Sequence, residues 1–258
     1  MRMMRTRRPG NQTPFMNSVF NWFSDDASLP LEGFSRILTT MTKRTFDLVL
    51  SVFGLVLLAP VLVAVAVMIK VESAGPVFYR GLRIGRLGRS FRIFKFRTMV
   101  EDAEKLGGAS TPEDDPRVTR VGRLLRRYKL DELPQILNVI TGEMSLVGPR
   151  PQVPWAVELY THEERAVLNA RPGITDYASV RFRDEGEILR GSTNPDKDYF
   201  EKIHPEKMRL SLEYVRKQSL WLDCQILWKT LGAVVLRRAR AESDHRIDGR
   251  PSSRTVLK

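Results

Sequence analysis

The longest apolar run in the sequence extends from Leu48 to Ile69, is 22 residues long and contains no charged residue. As an α-helix it would be about 33 Å long, which matches a bilayer hydrocarbon core of about 30 Å. Its many leucine, isoleucine, valine and phenylalanine side chains favour insertion into lipid. The pattern predicts a membrane helix at residues 42–70, which follows a flexible N-terminal arm at residues 1–41.

Two features of this segment bear on its topology. Pro60 follows Ala59 just past the middle of the run, where a proline removes a backbone hydrogen bond and kinks a helix. Basic residues flank both ends of the run, whereas a spanning helix usually has a basic bias at one end. A single-pass anchor and a re-entrant helix with both ends in the cytoplasm are both compatible with these residues.

Shorter alternations of apolar and polar residues follow the membrane helix. In the segment FRIFKFR, Phe94 and Phe96 alternate with Lys95 and Arg97, which predicts a strand with one apolar and one cationic face. The basic segment DDPRVTRVGRLLRRYKL and the run ILNVI predict helices.

The C-terminal part of the chain contains a further apolar and basic stretch at residues 208–238, which includes Trp221 and Trp228. Such a helix either faces a core or lies at a membrane surface with tryptophan at headgroup level. The remaining residues, 239–258, are polar and are predicted to be disordered.

Composition narrows the classes of function. The chain has a formal net charge of +12, which indicates an anionic partner such as nucleic acid, an acidic membrane surface or a phosphorylated substrate. No helix-turn-helix, zinc-finger or RNP signature is present, so we expect no nucleic acid partner. The one cysteine, Cys224, excludes an intrachain disulfide and lies in an apolar run, where we expect it to be buried. The three histidines lie in polar surroundings without mutual spacing and are expected at the surface.

An acidic pair, Asp131 and Glu132, stands among cations. The preceding cations are Arg117, Arg120, Arg123, Arg126, Arg127 and Lys129. Taken alone, Asp131 is typical of a helix N-cap and Glu132 of an acid in the first helical turn. Two carboxylates among many cations also fit a site that binds a diphosphate and a divalent cation together.

Phosphoryl transfer would use each part of this arrangement. An ionised aspartate can attack phosphorus, and an adjacent glutamate can ligate Mg²⁺, which prefers oxygen ligands and few protein groups. Arginines and the metal would neutralise charge on the phosphate oxygens. Prolines on both sides of Arg150 would fix its backbone, although Arg150 could equally be a structural ion-pair partner.

These motifs closely resemble those of the monotopic phosphoglycosyl transferases, also called bacterial sugar transferases. The resemblance covers residues 42–235 and rests on KRTFDLVLSVFGLVLLAP, GPVFYR, FRIFKFRTM, LDELPQILNVITGEMSLVGPRP and RPGIT. It implies an α/β fold, in which a small, mostly helical catalytic domain with a short sheet, here residues 71–238, is carried on a re-entrant membrane helix and interfacial amphipathic helices.

The resemblance also implies a reaction. Asp131 matches the family's aspartate nucleophile, which forms a covalent phosphosugar intermediate. Glu132 matches the residue beside that nucleophile, which ligates Mg²⁺. The expected enzyme transfers a sugar 1-phosphate from a nucleotide sugar, expected to be a UDP-sugar, to undecaprenyl phosphate and releases UMP, as the first membrane step of glycoconjugate synthesis. The expected substrate-binding residues are Lys95, Arg97, Arg126, Arg150 and Arg183.

The same resemblance implies a location and partners. We expect the bacterial inner membrane, with the catalytic domain on the cytoplasmic face, and as partners a nucleotide sugar, a polyprenol phosphate lipid and an anionic membrane surface. The resemblance does not decide the oligomeric state, and a homo-oligomer is one of the alternatives.

The sequence departs from the family pattern in two places. Ala59 stands where relatives often have a serine before the proline, so Pro60 must produce the bend without a serine hydroxyl. The segment from Asp176 to Arg183, DYASVRFR, replaces GWAQVNGR of many relatives, which leaves the sugar undetermined. The competing hypothesis is a membrane-anchored interaction protein in which Asp131 only caps a helix, and it predicts no Mg²⁺-dependent release of UMP.

Overall fold

The computed structural model describes residues 30–103, 111, 115–182 and 188–232. One long helix, α1, extends from Pro30 to Glu72. It therefore includes residues 30–41, which the sequence pattern assigned to a flexible arm. The helix continues through Ala59 and Pro60, so that no loop separates its two halves. Its part from Thr40 to Glu72 is, among the described residues, the one helix long and apolar enough to cross a membrane.

Short elements make up the rest of the described chain. The α-helices after α1 are α2 (Arg120–Arg127), α3 (Ile136–Thr141), α4 (Pro154–Glu158), α5 (Tyr177–Arg181), α6 (Pro195–Asp198), α7 (His204–Lys217) and α8 (residues 220–232). The 3₁₀ helices are Arg86–Gly88, Leu130–Gln135 and Glu164–Asn169, and a π-helix at Tyr199–Ile203 leads into α7. The predicted helices in the basic segment and in ILNVI are thereby confirmed as α2 and α3.

The strands form three two-stranded sheets among the described residues. They are β1 (Phe78–Tyr79), β2 (Leu82–Ile84), β3 (Ser90–Arg92), β4 (Lys95–Phe96), β5 (Ser145–Val147) and β6 (Gly173–Thr175). β1 pairs with β4 and β2 with β3 in antiparallel fashion, whereas β5 and β6 are parallel. The prediction of one continuous strand in FRIFKFR is wrong, because the Phe94 amide donates to Asn138 Oδ1 at 2.8 Å instead of to a neighbouring strand.

The described fold is thus mostly helical with small sheets, as predicted, and the elements after α1 pack along it. Val65 and Ile69 of α1 form a buried cluster with Phe96 of β4 and Leu125 of α2. At the other end of the apolar run, Arg44 of α1 donates to the carbonyls of residues 139 and 140 in α3. The domain therefore contacts α1 near both ends of the apolar run.

The opposite side of α1 is apolar and open. Its exposed large side chains include Val49, Val52, Phe53, Val56, Leu57, Val63, Val67 and Val71. A similar apolar surface lies on α8, where Trp221 is 73% exposed and Trp228 is 78% exposed. These two exposures exclude the core-facing alternative for both tryptophans. Cys224 is also exposed on α8, so the prediction that it is buried is wrong.

Candidate active site

The acidic pair lies in the 3₁₀ helix Leu130–Gln135, directly after α2. Lys129 joins the two helices with a left-handed backbone, φ +56° and ψ 24°, which is uncommon for a residue with a side chain. Lys129, not Asp131, occupies the N-cap position of the 3₁₀ helix, and its side chain makes no capping bond. The interpretation of Asp131 as an N-cap is therefore wrong.

Glu132 lies between two cations. Lys95 Nζ donates to Glu132 Oε1 at 2.8 Å, and Arg150 Nη1 donates to Glu132 Oε2 at 3.1 Å, with a second contact from Arg150 Nη2 to Oε1. Burial alone would raise the pKa of Glu132, but Arg150 and Lys95 outweigh that effect and hold its pKa well below the ordinary value. Glu132 is therefore an ionised carboxylate that fixes two basic side chains beside Asp131.

Asp131 differs from its neighbour. Its side chain is buried, and Oδ1 has no hydrogen-bond partner among the described residues. Burial raises the pKa of Asp131 and Glu132 raises it further, while Lys95 and Arg126 offset part of the shift. A buried carboxylate oxygen without a hydrogen bond is costly to the fold, by about 1–3 kcal/mol. Such a group is typical of a reactive position.

Arg126 reaches the same site from α2. Its Nε donates to Thr98 Oγ1 at 2.9 Å, and burial lowers the pKa of this arginine. Gly122 permits the approach of α2 to Thr98, because a Cβ at position 122 would lie 2.0 Å from the Thr98 carbonyl oxygen. Close packing of this helix thus positions Arg126 near Asp131.

One of the predicted substrate-binding residues, Arg97, is not part of this group. The Arg97 guanidinium donates to the Ser73 carbonyl and to Ser73 Oγ, both at 2.9 Å, and also contacts the Ala74 carbonyl. Arg97 therefore holds the chain where it leaves α1, although the pattern around it resembled a phosphate site. Arg183 lies outside the described residues. Lys95, Arg126 and Arg150 are the three predicted cations that the structure brings to the acidic pair.

The donor atoms present fit a magnesium ion of the kind that binds with one or two carboxylates and substrate phosphates. No group of three or more histidine, cysteine, aspartate or glutamate side chains suited to a metal is found in the described ranges, so a cage made wholly of protein ligands is absent there. The Oδ1 atom of Asp131 is an oxygen without a partner, next to the Glu132 carboxylate. This pair is the candidate ligand set.

A cleft adjoins the acidic pair through Arg150. Besides Arg150, its lining includes Gln152, Tyr160, Asp176, His204 and Lys207. His204 was predicted at the surface but is partly buried, and its Nε2 lies 3.6 Å from Glu164 Oε1. Burial lowers the pKa of His204. No spacing in the sequence reveals this cleft, because its walls come from segments far apart in the chain.

A second buried polar group ties α1 to the domain. Lys43 Nζ lies 2.6 Å from Asp223 Oδ2 and donates to the Val147 carbonyl at 3.1 Å. Tyr214 donates to Asp223 Oδ1 at 2.8 Å, and Ser145 donates to Asp47 Oδ2 at 2.7 Å. The sequence marked Lys43 only as a flanking cation, and gave no signal for its distant partners.

Comparison with known proteins agrees with the motifs at this site. The sequence model of the family described as bacterial sugar transferase matches residues 38–237. The chain belongs to the bacterial sugar transferase family.

Individual members of the bacterial sugar transferase family differ in length. The undecaprenyl-phosphate glucose phosphotransferase of Komagataeibacter xylinus is 41% identical over 209 residues, which cover 77% of this chain and 36% of that protein. The UDP-glucose:undecaprenyl-phosphate glucose-1-phosphate transferase of Escherichia coli (strain K12) is 39% identical over 206 residues, 78% of this chain and 41% of that protein. The chain thus spans less than half the length of these two relatives.

A third relative matches along its whole length. The exopolysaccharide production protein ExoY of Rhizobium meliloti (strain 1021) is 35% identical over 239 residues, which cover 86% of this chain and 99% of that protein. The family match, residues 38–237, includes the acidic pair, the three cations around it and α1 from residue 38 onward.

Proposed function

We propose that the chain transfers a sugar 1-phosphate from a UDP-sugar to undecaprenyl phosphate, and that Asp131 forms a covalent intermediate. The names of the Komagataeibacter and Escherichia coli relatives support the substrates. The observation that carries the proposal is the contrast within the acidic pair: Glu132 is held by Lys95 and Arg150, while Oδ1 of buried Asp131 has no partner among the described residues.

In the first step, an Asp131 carboxylate oxygen attacks the phosphorus that bears the sugar. A new bond forms between that oxygen and phosphorus, and the bond from phosphorus to the UMP oxygen breaks, so that UMP leaves. Lys95, Arg126 and Arg150 lie around the pair and would offset the charge of the diphosphate. Burial assists this step, since electrostatic interactions are stronger where water is excluded.

In the second step, a phosphate oxygen of undecaprenyl phosphate attacks the same phosphorus. The bond between phosphorus and Asp131 breaks and restores the carboxylate, and the product is undecaprenyl-diphosphate-sugar. No proton has to be abstracted from the acceptor, because its phosphate is already ionised at neutral pH.

We further propose that Asp131 and Glu132 hold Mg²⁺. When bound, the ion supplies positive charge to the oxygens of the transferred phosphate. Glu132 already contacts Lys95 and Arg150, so its ionised form is available at neutral pH. The prediction that follows is loss of UMP release on chelation and its recovery with added Mg²⁺.

The contacts of α1 favour a helix with both ends on one side of the membrane. Lys43 contacts Asp223 near the start of the apolar run, and the Val121 amide donates to Glu72 Oε1 at the end of α1. These two positions are about 44 Å apart in a straight helix. If α1 spanned the membrane, parts of one domain would lie on opposite membrane faces. The middle of that domain would then lie in the hydrocarbon core. The re-entrant hypothesis avoids both costs.

The exposed apolar sides of α1 and α8 support the same placement. Trp221 and Trp228 lie on one side of α8, and exposed tryptophan is typical of the membrane interface. We propose that the domain rests on the cytoplasmic face of the inner membrane, where UDP-sugars are synthesised. The excess of basic residues would then contact anionic lipid.

Labelling of introduced cysteines tests this topology. Single cysteines at Thr42 and Ser73, in a Cys224→Ser background, should both react with a membrane-impermeant maleimide only after the cytoplasmic face is opened. Reaction of one position from outside in intact cells would contradict the re-entrant placement.

The experiment that tests the activity uses the full chain in lipid nanodiscs with undecaprenyl phosphate and a panel of UDP-sugars. We expect UMP release with at least one donor, dependent on Mg²⁺ and on the acceptor lipid. Glu158→Gln is a control, since Glu158 is exposed and outside the site. A wild-type chain that folds and binds the membrane but releases UMP from no donor would contradict the proposal.

A further inference from the structure

The cleft beside Arg150 is lined by a residue that has a buried carboxylate oxygen not used in the proposed chemistry. Asp176 lines the cleft and is 1% exposed. Its Oδ1 accepts from the Ser179 amide at 2.6 Å, and so caps α5. Its Oδ2 has no hydrogen-bond partner among the described residues. One oxygen of the side chain therefore has a structural role, and the other lacks a partner.

An acceptor buried without a partner is unfavourable for folding, and such atoms in native structures are uncommon. Capping alone does not require the second oxygen, because serine, threonine and asparagine cap helices about as well as aspartate. A ligand that donates a hydrogen bond in the cleft would satisfy Oδ2. The π-helix Tyr199–Ile203, which leads into His204 on the cleft wall, is a second unusual feature of a kind frequent at functional sites.

We propose that this cleft binds the hexose of the donor, and that Asp176 Oδ2 accepts a hydrogen bond from one of its hydroxyl groups. Asp176 would then be a specificity-determining residue. The assignment rests on the proposed function, since it identifies the part of the UDP-sugar that occupies this cleft.

The lining of the cleft favours a sugar over a nucleobase. Arg150, Gln152, Tyr160, Asp176, His204 and Lys207 carry polar side-chain groups, and Val167, Ala178 and Met208 add apolar surface. A hexose has several hydroxyl groups, each of which donates and accepts, and it needs many such partners. Uracil has one ring N–H donor and two flat faces, and is better matched by stacking surfaces than by polar groups on several walls.

The position of the cleft favours the same occupant. Arg150 lines the cleft and also contacts Glu132, so the cleft begins next to the acidic pair. The phosphorus that Asp131 attacks carries the sugar through one oxygen, whereas the uridine lies beyond the leaving phosphate. The group that enters a cleft adjoining the attacked phosphate is therefore the sugar.

A chemical double-mutant cycle tests this assignment. The donor is the UDP-hexose with the highest kcat/KM in the wild type, together with its monodeoxy analogues. Asp176→Asn keeps the capping oxygen and replaces Oδ2 with a donor. We expect Asp176→Asn to lower kcat/KM for the parent donor by about tenfold to a hundredfold. We expect the kcat/KM of the wild type to fall by a similar factor when one particular deoxy analogue replaces the parent donor. With that analogue, Asp176→Asn should cause less than about a twofold further loss.

Product inhibition distinguishes the sugar from the nucleoside. The inhibition constant for UMP should be the same in wild type and Asp176→Asn, because UMP lacks the hexose. Glu158→Gln is the matched control, which removes one acidic group from an exposed position away from the cleft and should change neither quantity. If Asp176→Asn does not fold, Asp176→Ser serves instead, since serine also caps a helix and lacks the second oxygen.

Two results would overturn the assignment while the proposed function stands. One is an equal loss in Asp176→Asn for the parent donor and every deoxy analogue, and the other is a raised inhibition constant for UMP, which would assign the cleft to uridine. Absence of UMP release from every UDP-sugar in wild type would instead contradict the proposed function itself, and the assignment with it.

Discussion

Two buried polar clusters of the domain differ in how fully their groups are paired. The anchor cluster consists of Lys43, Asp47, Ser145, Tyr214 and Asp223. The catalytic cluster consists of Lys95, Arg126, Asp131, Glu132 and Arg150. In the anchor cluster, both oxygens of each aspartate have partners among the described residues. In the catalytic cluster, Asp131 Oδ1 has none.

This difference separates a structural role from a chemical one. Buried polar groups that are fully paired hold elements together, and here they join α1, at Lys43 and Asp47, to β5, α7 and α8. A buried carboxylate kept beside cations but without hydrogen bonds is stable only at a cost, and it leaves an oxygen available to a substrate. Both clusters combine basic side chains with carboxylates, so the pairing of their atoms distinguishes them.

The largest expected effect is the loss of sugar-phosphate transfer when Asp131 is replaced. Asp131→Asn should lower UMP release by about a thousandfold or more, because an amide is a poor nucleophile for phosphorus and residual activity would come only from the surrounding groups. The measurement is steady-state UMP release in nanodiscs. Glu158→Gln should keep nearly full activity. Retention of most activity by Asp131→Asn would place Asp131 among structural residues, like those of the anchor cluster.

The next effect is on stability and concerns the anchor cluster. Lys43→Met should destabilise the fold by about 3–5 kcal/mol, since it leaves buried carboxylates without their cation. Lys70→Met is the control on the same helix, because Lys70 Nζ donates only to the exposed Gly75 carbonyl in the structure. Thermal unfolding in detergent compares the two variants. Equal melting temperatures would contradict the structural role of Lys43.

A smaller effect on the melting temperature is expected when one aspartate from each cluster is replaced. The pKa of Asp131 is raised in the fold, so its ionised form destabilises the protein at any pH above the unfolded-state value. Asp131→Asn should therefore raise the melting temperature, by about 2–4 °C for each kcal/mol recovered. Asp47→Asn should lower it, because Asp47 accepts from Ser145 Oγ and from the Leu146 amide. The same direction of change in both variants would remove the distinction between the clusters.

The smallest effect is a shift in pH dependence. Asp131 must be ionised to attack, so the rate should fall as the pH falls through its raised pKa. Lys95 lowers the pKa of Asp131, and Lys95→Met should move this acidic limb to higher pH. Lys70→Met should leave it unchanged. If the acidic limb of the pH–rate profile lies at the same pH in Lys95→Met as in the wild type, Asp131 is excluded as the titrating group.

The sequence predicted those features that depend on local pattern. The membrane helix, α2, α3 and the acidic pair follow from apolar runs, periodicity and the LDELPQ and SLVGPRP blocks. It failed where long-range contacts decide the outcome. Arg97 alternates with Phe96 as a site residue would, yet its guanidinium binds the end of α1 at Ser73.

Other features had no local signal at all. Asp223 pairs with Lys43, which is 180 residues away in sequence, and no pattern in either segment indicates the other. Asp176 and His204 meet in one cleft only because α5 and α7 pack together. Cys224 lies in an apolar run that the fold leaves open to one side, so hydrophobicity predicted burial wrongly.

Trapping of the intermediate tests the central claim most directly. Wild-type enzyme is mixed with UDP-sugar labelled in the phosphate next to the sugar, in the absence of undecaprenyl phosphate, and is quenched in acid within milliseconds to seconds. We predict labelled sugar phosphate on the peptide that contains Asp131, formed together with one equivalent of UMP and discharged when the lipid is added. Turnover without enzyme-bound label at any time, or label on a peptide other than that of Asp131, would contradict the account.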